Sequence, residues 1–111
     1  MGYDIEIKLG DDVYEYLYMT FNHTELFKKY SIYPRGFNGM TVVNIIPKYE
    51  KAKEILESEG YTGYINTNSS TDYKYNDNIL YQRNENVILF VVNDTLDKLY
   101  NCPDEAKWYS D

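Results

Sequence analysis

Imidazole or thiol chemistry in this chain of 111 residues would have to centre on His23 or Cys102, because each is the only residue of its type. An imidazole that moves protons needs an orienting partner and a nucleophile within hydrogen-bond reach. Thr24 and Glu25 follow His23 directly and serve equally well as the start of a helix, so a structural role is the simpler expectation. Cys102 lies far along the chain from His23, the base it would need, and is expected to be a passive or buried thiol. It cannot close an internal disulfide, and there is no CxxC pair or Cys/His set for a metal. Asp72, Asn76, Asp77 and Asn78 cluster oxygen ligands of the kind calcium takes. An EF-hand loop needs glycine at its sixth place and a bidentate glutamate at its twelfth, whereas Arg83 occupies the latter and no glycine the former. Walker, GxGxxG, GxSxG and HExxH patterns are absent. The expectation is therefore a non-enzymatic protein with no catalytic residue, no metal and no cofactor.

The residue type that stands out is tyrosine, 14 of them. Tyr14, Tyr16 and Tyr18 alternate with Glu15, Leu17 and Met19, so in a strand they share one face. If Leu17, Met19 and Phe21 point inward, those tyrosines point outward, next to Asp4 and Glu6 of a preceding strand. Tyrosine rings are large, stiff and amphipathic, which is why they concentrate binding energy at protein interfaces. Tyr73 and Tyr75, with Asp72 and Asp77, extend the same chemistry into a later loop, as do Tyr61, Tyr64 and Tyr81. Each tyrosine alone is better accounted for as a cross-strand filler or as covered by the helices, but the set together with its acidic neighbours is not.

The elements that must carry these residues follow from periodicity. Tyr3, Ile5, Ile7 and Leu9 alternate with Asp4, Glu6 and Lys8, the period of a half-buried strand. Gly10-Asp11-Asp12 is a turn signal, so residues 3–21 are predicted to form an antiparallel hairpin. Asn22 or Thr24 caps a short helix over 23–30 with Leu26, Phe27 and Tyr30 on its apolar side. Pro34, Gly36 and Gly39 mark an irregular link. Ile45, Tyr49, Ala52 and Leu56 fall at helical spacing, predicting an amphipathic helix over 44–59 with Pro47 in its first turn and Gly60 as its stop. Residues 61–78 read as a long polar loop or a weak hairpin around Asn68-Ser69-Ser70. The run Val87–Val92 suits a buried strand by composition, but Ile88, Val92, Leu96 and Leu99 keep helical spacing, which favours a helix over 85–101 ended by Cys102-Pro103. The predicted fold is α+β: one domain in which an N-terminal antiparallel hairpin packs against about three helices.

Eighteen acidic against eleven basic residues give a net charge of -7, with a pI near 4.6 and a mean hydropathy of -0.62. Direct binding of a phosphate backbone needs a basic surface, so nucleic acid is not the expected partner. A basic protein is favoured instead. The N-terminus lacks the basic start and apolar run of a signal peptide, and Val87–Val92 is too short to span a membrane, so a cytoplasmic location is expected.

Several short marks are shared with one group of proteins. They are Tyr3-Asp4-Ile5, the passage Thr20-Phe21-Asn22-His23-Thr24-Glu25-Leu26-Phe27, the Gly39-Met40-Thr41 turn leading to Ile46-Pro47, and the closing Pro103-Asp104 with Trp108 and Asp111. In these the chain resembles a family of small, uncharacterised bacteriophage and prophage proteins. The marks span nearly the whole chain, while Tyr61–Arg83 has no counterpart. The resemblance implies an origin in a mobile element, within a bacterial host, and a hairpin-plus-helices layout. It implies no chemistry.

Joined to the acidic balance and the tyrosines, this gives the leading functional expectation. The chain inhibits a host protein, such as a basic, nucleic-acid-binding defence effector, through an acidic, tyrosine-rich face that stands in for nucleic acid, in the manner of an anti-CRISPR protein. The alternative is a sponge for a nucleotide signal that uses tyrosines with Arg35, Arg83, Lys28 and Lys29. A small enzyme centred on His23 is the third. Neither the partner's identity nor the oligomeric state is readable from the sequence.

Overall fold

A computed structural model describes residues 1–65 and 77–111, the side chains of 77 and 78 excepted. Strand β1 (Gly2–Leu9) and strand β2 (Asp12–Thr20) form the expected antiparallel hairpin, with Ile5 opposite Leu17 and Tyr3 opposite Met19. Gly10 makes the turn with φ of 61°, a left-handed conformation that costs glycine nothing. Near the turn the register slips between Ile7 and Lys8, so that Ile7 faces Glu15 and Lys8 faces Val13, leaving Tyr14 as the extra residue of a bulge.

The hairpin is only part of the sheet. A third strand, β3 (Lys107–Ser110), pairs antiparallel with β1 and gives the order β2-β1-β3. Trp108 lies opposite Ile7, and Tyr109 lies opposite Glu6. The far edge of β3 is occupied as well: the Gly39 amide donates to the Trp108 carbonyl at 2.9 Å and the Trp108 amide donates to the Met40 carbonyl at 3.0 Å.

Among the described residues, five helical segments follow the hairpin and intervene before β3. A 3-10 turn at Phe21–His23, with the Thr20 side chain accepting from the Asn22 amide, leads into α1 (Thr24–Lys29). These two segments replace the single helix predicted over 23–30. Helix α2 (Val42–Ser58) begins a half-turn before the predicted 44. The reason is tertiary: its first free amides, of Val42 and Val43, donate to the carbonyls of Ala106 and Asp104 at 2.8 and 3.2 Å, so no local cap is required. Pro47 consequently lies in the second turn rather than the first and removes one intrahelical bond, on the exposed side of the helix.

Helix α3 (Asp77–Leu80) takes the last two residues of the predicted 61–78 loop. Residues 61–65 are irregular, and the hairpin anticipated around Asn68 lies outside the described residues. Helix α4 (Glu85–Tyr100) resolves the ambiguous apolar run in favour of helix, capped by the Asn84 side chain, which accepts from the Val87 amide at 3.1 Å.

The architecture is thus α+β, as predicted, with a three-stranded sheet rather than a bare hairpin. Ile5, Ile7, Leu17, Met19 and Trp108 form the sheet's inner face. Helix α4 supplies Val87, Ile88, Leu89, Val91, Val92, Leu96 and Leu99 to the same core, and α2 supplies Val42, Ile45, Tyr49, Ala52 and Leu56. At one end, Phe37, Tyr49 and Trp108 pack together with ring centroids 5.7–6.4 Å apart, and the Trp108 indole N–H donates to the Pro34 carbonyl at 2.8 Å.

Candidate functional site

Among the described residues, the helices pack on one side of the sheet, and its other side carries the residues singled out in the sequence. The register sets Tyr18 opposite Asp4 and places Tyr16, Glu6 and Tyr109 in one row across all three strands. Tyr16 keeps 68% of its surface exposed, Tyr14 44% and Tyr109 41%, so the helices do not cover this side. Asp4 is exposed, and Glu6 and Tyr18 are half-buried. The Tyr18 phenol lies across Gly2, its oxygen 2.6 Å from where a Cβ would stand, so glycine at this position lets the ring lie down on the strand. Sequence reasoning missed Tyr109, whose strand is only four residues long and pairs with β1 from the opposite end of the chain.

The charge on this face is graded rather than uniformly acidic. Asp4 and Glu6 lie toward the Gly2 end of β1. Lys8, opposite Lys107, forms a basic border toward the turn, with its ammonium 4.9 Å from the centre of the Tyr109 ring. Of the remaining predicted residues, Asp72, Tyr73 and Tyr75 lie outside the described residues, and only the backbone of Asp77, in α3, falls within them. Tyr61 is half-buried, whereas Tyr64 and Tyr81 are exposed. Tyr30 and Tyr100 are tied to helix-side carboxylates, donating to Glu59 at 3.4 Å and Glu50 at 2.9 Å. Burial, with Glu59 adjacent, pushes the Tyr30 phenol up to about 12.

His23 is fully buried at the corner between β2 and α1. Its Nε2 lies 3.0 Å from the Gln82 carbonyl, which can only accept, so Nε2 carries the proton. Nδ1 is buried with no hydrogen-bond partner. Burial lowers the pKa of the ring below its ordinary 6.5, outweighing the backbone carbonyls of Ile79 and Gln82, and the Arg83 charge adds to the lowering. Asn22 completes the corner by donating to the Leu80 carbonyl at 3.0 Å and accepting from Arg83 at 2.9 Å. His23 and Asn22 together fasten the segment before α4 to the end of the hairpin. Cys102 is buried as well, its thiol 3.4 Å from the Lys98 carbonyl and its pKa raised by burial and by Glu15.

Around the corner from the tyrosine face is a half-open cleft of about 270 Å³ lined by Tyr3, Thr24, Lys28, Ile32, Tyr33, Pro34, Arg35 and Gly36. The Arg35 guanidinium stacks 5.1 Å from the centre of the Tyr3 ring and donates through Nε to the Asp111 carbonyl at 2.9 Å. Of the four basic residues singled out for a nucleotide, Arg35 and Lys28 line this cleft, while Arg83 is engaged by Asn22. Among the described residues, no group of three or more His, Cys, Asp or Glu side chains could hold a metal ion, and no helix is long and apolar enough to cross a membrane.

Comparison with known proteins finds no match to the chain among family models, curated proteins or solved structures.

Proposed function

We propose that this chain is a binding protein encoded by a phage or another mobile element, that it inhibits a protein of its bacterial host in the cytoplasm, and that it docks through the outer face of its sheet. The observation that supports this reading is the exposed pair Tyr16 and Tyr109, in one row with Glu6 between them and flanked by Tyr14, Tyr18 and Asp4. Rings held on a sheet lose little conformational entropy on binding, and each anchors a large contact area at low ordering cost. Asp4 and Glu6 provide acceptors for arginine or lysine, which suits a basic, nucleic-acid-binding target such as a defence nuclease. The Lys8–Lys107 border fixes orientation, because a partner whose own surface is basic throughout would be repelled there. The proposed role is inhibition by occupancy, without catalysis.

The test is affinity capture from bacterial lysate with the tagged chain and with a Tyr16→Ala/Tyr109→Ala variant. The expected result is one nucleic-acid-binding protein in stoichiometric amount, released by added DNA and lost with the variant. Equal recovery on the variant would refute the assignment of the surface, and a partner indifferent to DNA would refute the mimicry.

A further inference from the structure

The cleft beside α1 carries a second kind of recognition, independent of the tyrosine face. We propose that it binds a nucleoside monophosphate, with the base among Tyr3, Tyr33, Ile32 and Pro34 and the phosphate at the rim on Arg35 and Lys28. Four observations carry this.

The first is size. At about 270 Å³ the cleft falls just under the ~300 Å³ at which ordinary ligand pockets begin, so it admits one base-and-sugar unit and excludes a dinucleotide. The second is the lining, in which two aromatic rings and two buried aliphatic residues surround the space. Aromatic rings accept any base by stacking.

The third is the disposition of charge. The Arg35 guanidinium is held on one side by the Tyr3 ring and through Nε by the Asp111 carbonyl, while no hydrogen bond engages either Nη group among the described residues. A guanidinium whose plane is already fixed presents paired donors to a phosphate at little entropic cost. Lys28 pairs with Glu25 at 3.3 Å across an exposed surface, an interaction weak enough to yield to a phosphate. The net charge of -7 opposes any anion at long range, so the same argument favours one phosphate over three.

The fourth is an unanswered polar group. Thr24 lines the cleft, and its hydroxyl oxygen is buried with no partner. Buried hydroxyls are ordinarily hydrogen-bonded, and leaving one unmade is costly, so Thr24 gains a partner when its side chain turns the hydroxyl toward a polar edge of a base or a ribose hydroxyl.

The molecule provides its own reporter. Trp108 is the only tryptophan, and its indole N–H is bonded to the carbonyl of Pro34, a lining residue. The experiment titrates the full chain with AMP, UMP and inorganic phosphate, following Trp108 fluorescence and backbone amide NMR shifts.

The expected result is saturable binding of AMP or UMP, with shifts concentrated at Tyr3, Thr24 and residues 32–36. Inorganic phosphate should bind at least about tenfold more weakly, and Arg35→Gln should weaken nucleotide binding about tenfold, as expected for one charged hydrogen-bonding group. Lys28→Gln alters an exposed side chain and should weaken binding severalfold, which keeps the test intact if Arg35→Gln fails to fold. No saturable response to either nucleotide, equal affinity for inorganic phosphate, or unchanged affinity in both variants would overturn the proposal. Because Tyr16→Ala/Tyr109→Ala leaves the cleft lining untouched, nucleotide binding by that variant separates this proposal from the protein-docking reading.

Discussion

Lowering the pH should loosen this protein through His23, and proton linkage sets the upper bound of the effect. His23 is buried with Nε2 donating to the Gln82 carbonyl and Nδ1 facing no partner, beside the Arg83 charge. A proton added at Nδ1 would make a buried cation, which the carbonyls of Ile79 and Gln82 compensate only in part. The folded-state pKa is therefore lowered below the ordinary 6.5, and the unfolded chain takes up the proton first as pH falls.

The sign follows directly. Where the unfolded state binds more protons, stability rises with pH, so the His23 contribution is complete above about pH 6.5 and is lost as pH falls from there toward the folded-state pKa. Within that window the slope approaches about 1.4 kcal/mol per pH unit. Between pH 6.5 and 5.5 a domain of this size should lose at most about 1 kcal/mol, equivalent to roughly 4 °C in melting temperature.

The assay is urea or thermal unfolding from pH 7.5 to 5.5, comparing the native chain with His23→Gln. Glutamine can still donate to the Gln82 carbonyl but does not titrate. The variant should start less stable at pH 7.5 and show a flatter profile. A native profile flat across the window, or an equal fall in the variant, would refute the reasoning.

Three further outcomes follow from particular contacts. Asn84→Ala removes the acceptor for the Val87 amide and should cost about 1 kcal/mol in denaturant unfolding without altering the fold. Burial and Glu59 keep the Tyr30 phenol protonated to about 12 against an ordinary 10, so the folded chain holds that proton longer and stability should fall as pH rises from about 10 to 12; ultraviolet titration should show late-ionising tyrosines whose amplitude falls by one residue in Tyr30→Phe. Trp108→Leu opens space beside Phe37 and Tyr49 and removes the donor to Pro34, which should cost about 3 kcal/mol or more in chemical denaturation.

Strong local signals made much of this fold legible. Ile5 and Ile7, alternating with Asp4, Glu6 and Lys8, fix β1 and its inner face without any tertiary information. Ile88, Val92, Leu96 and Leu99 outweigh the β-branched composition of the run that contains them, because helical spacing lets one face reach the core continuously.

What escaped depends on distant partners. The four residues of β3 are too few to show a period, and they become a strand only because β1 and the Gly39–Met40 backbone supply partners on both sides. The early start of α2 depends on carbonyls of Asp104 and Ala106, some sixty residues away. The outer face was legible in Tyr14, Tyr16, Tyr18, Asp4 and Glu6, but Tyr109 and the Lys107 border came with β3. Likewise Arg35 and Lys28 were recognisable as scarce cations, whereas the cleft between them exists only once Tyr3 and residues 32–36 meet.

The central claim is that the outer face of the sheet holds a host protein. Its most direct test is the dissociation constant of the captured partner for the native chain and for Tyr16→Ala and Tyr109→Ala singly, each verified as folded by circular dichroism. Central interface tyrosines cost about 2 kcal/mol when truncated, so each substitution should weaken binding about thirtyfold. Dissociation constants unchanged in both variants would contradict the account.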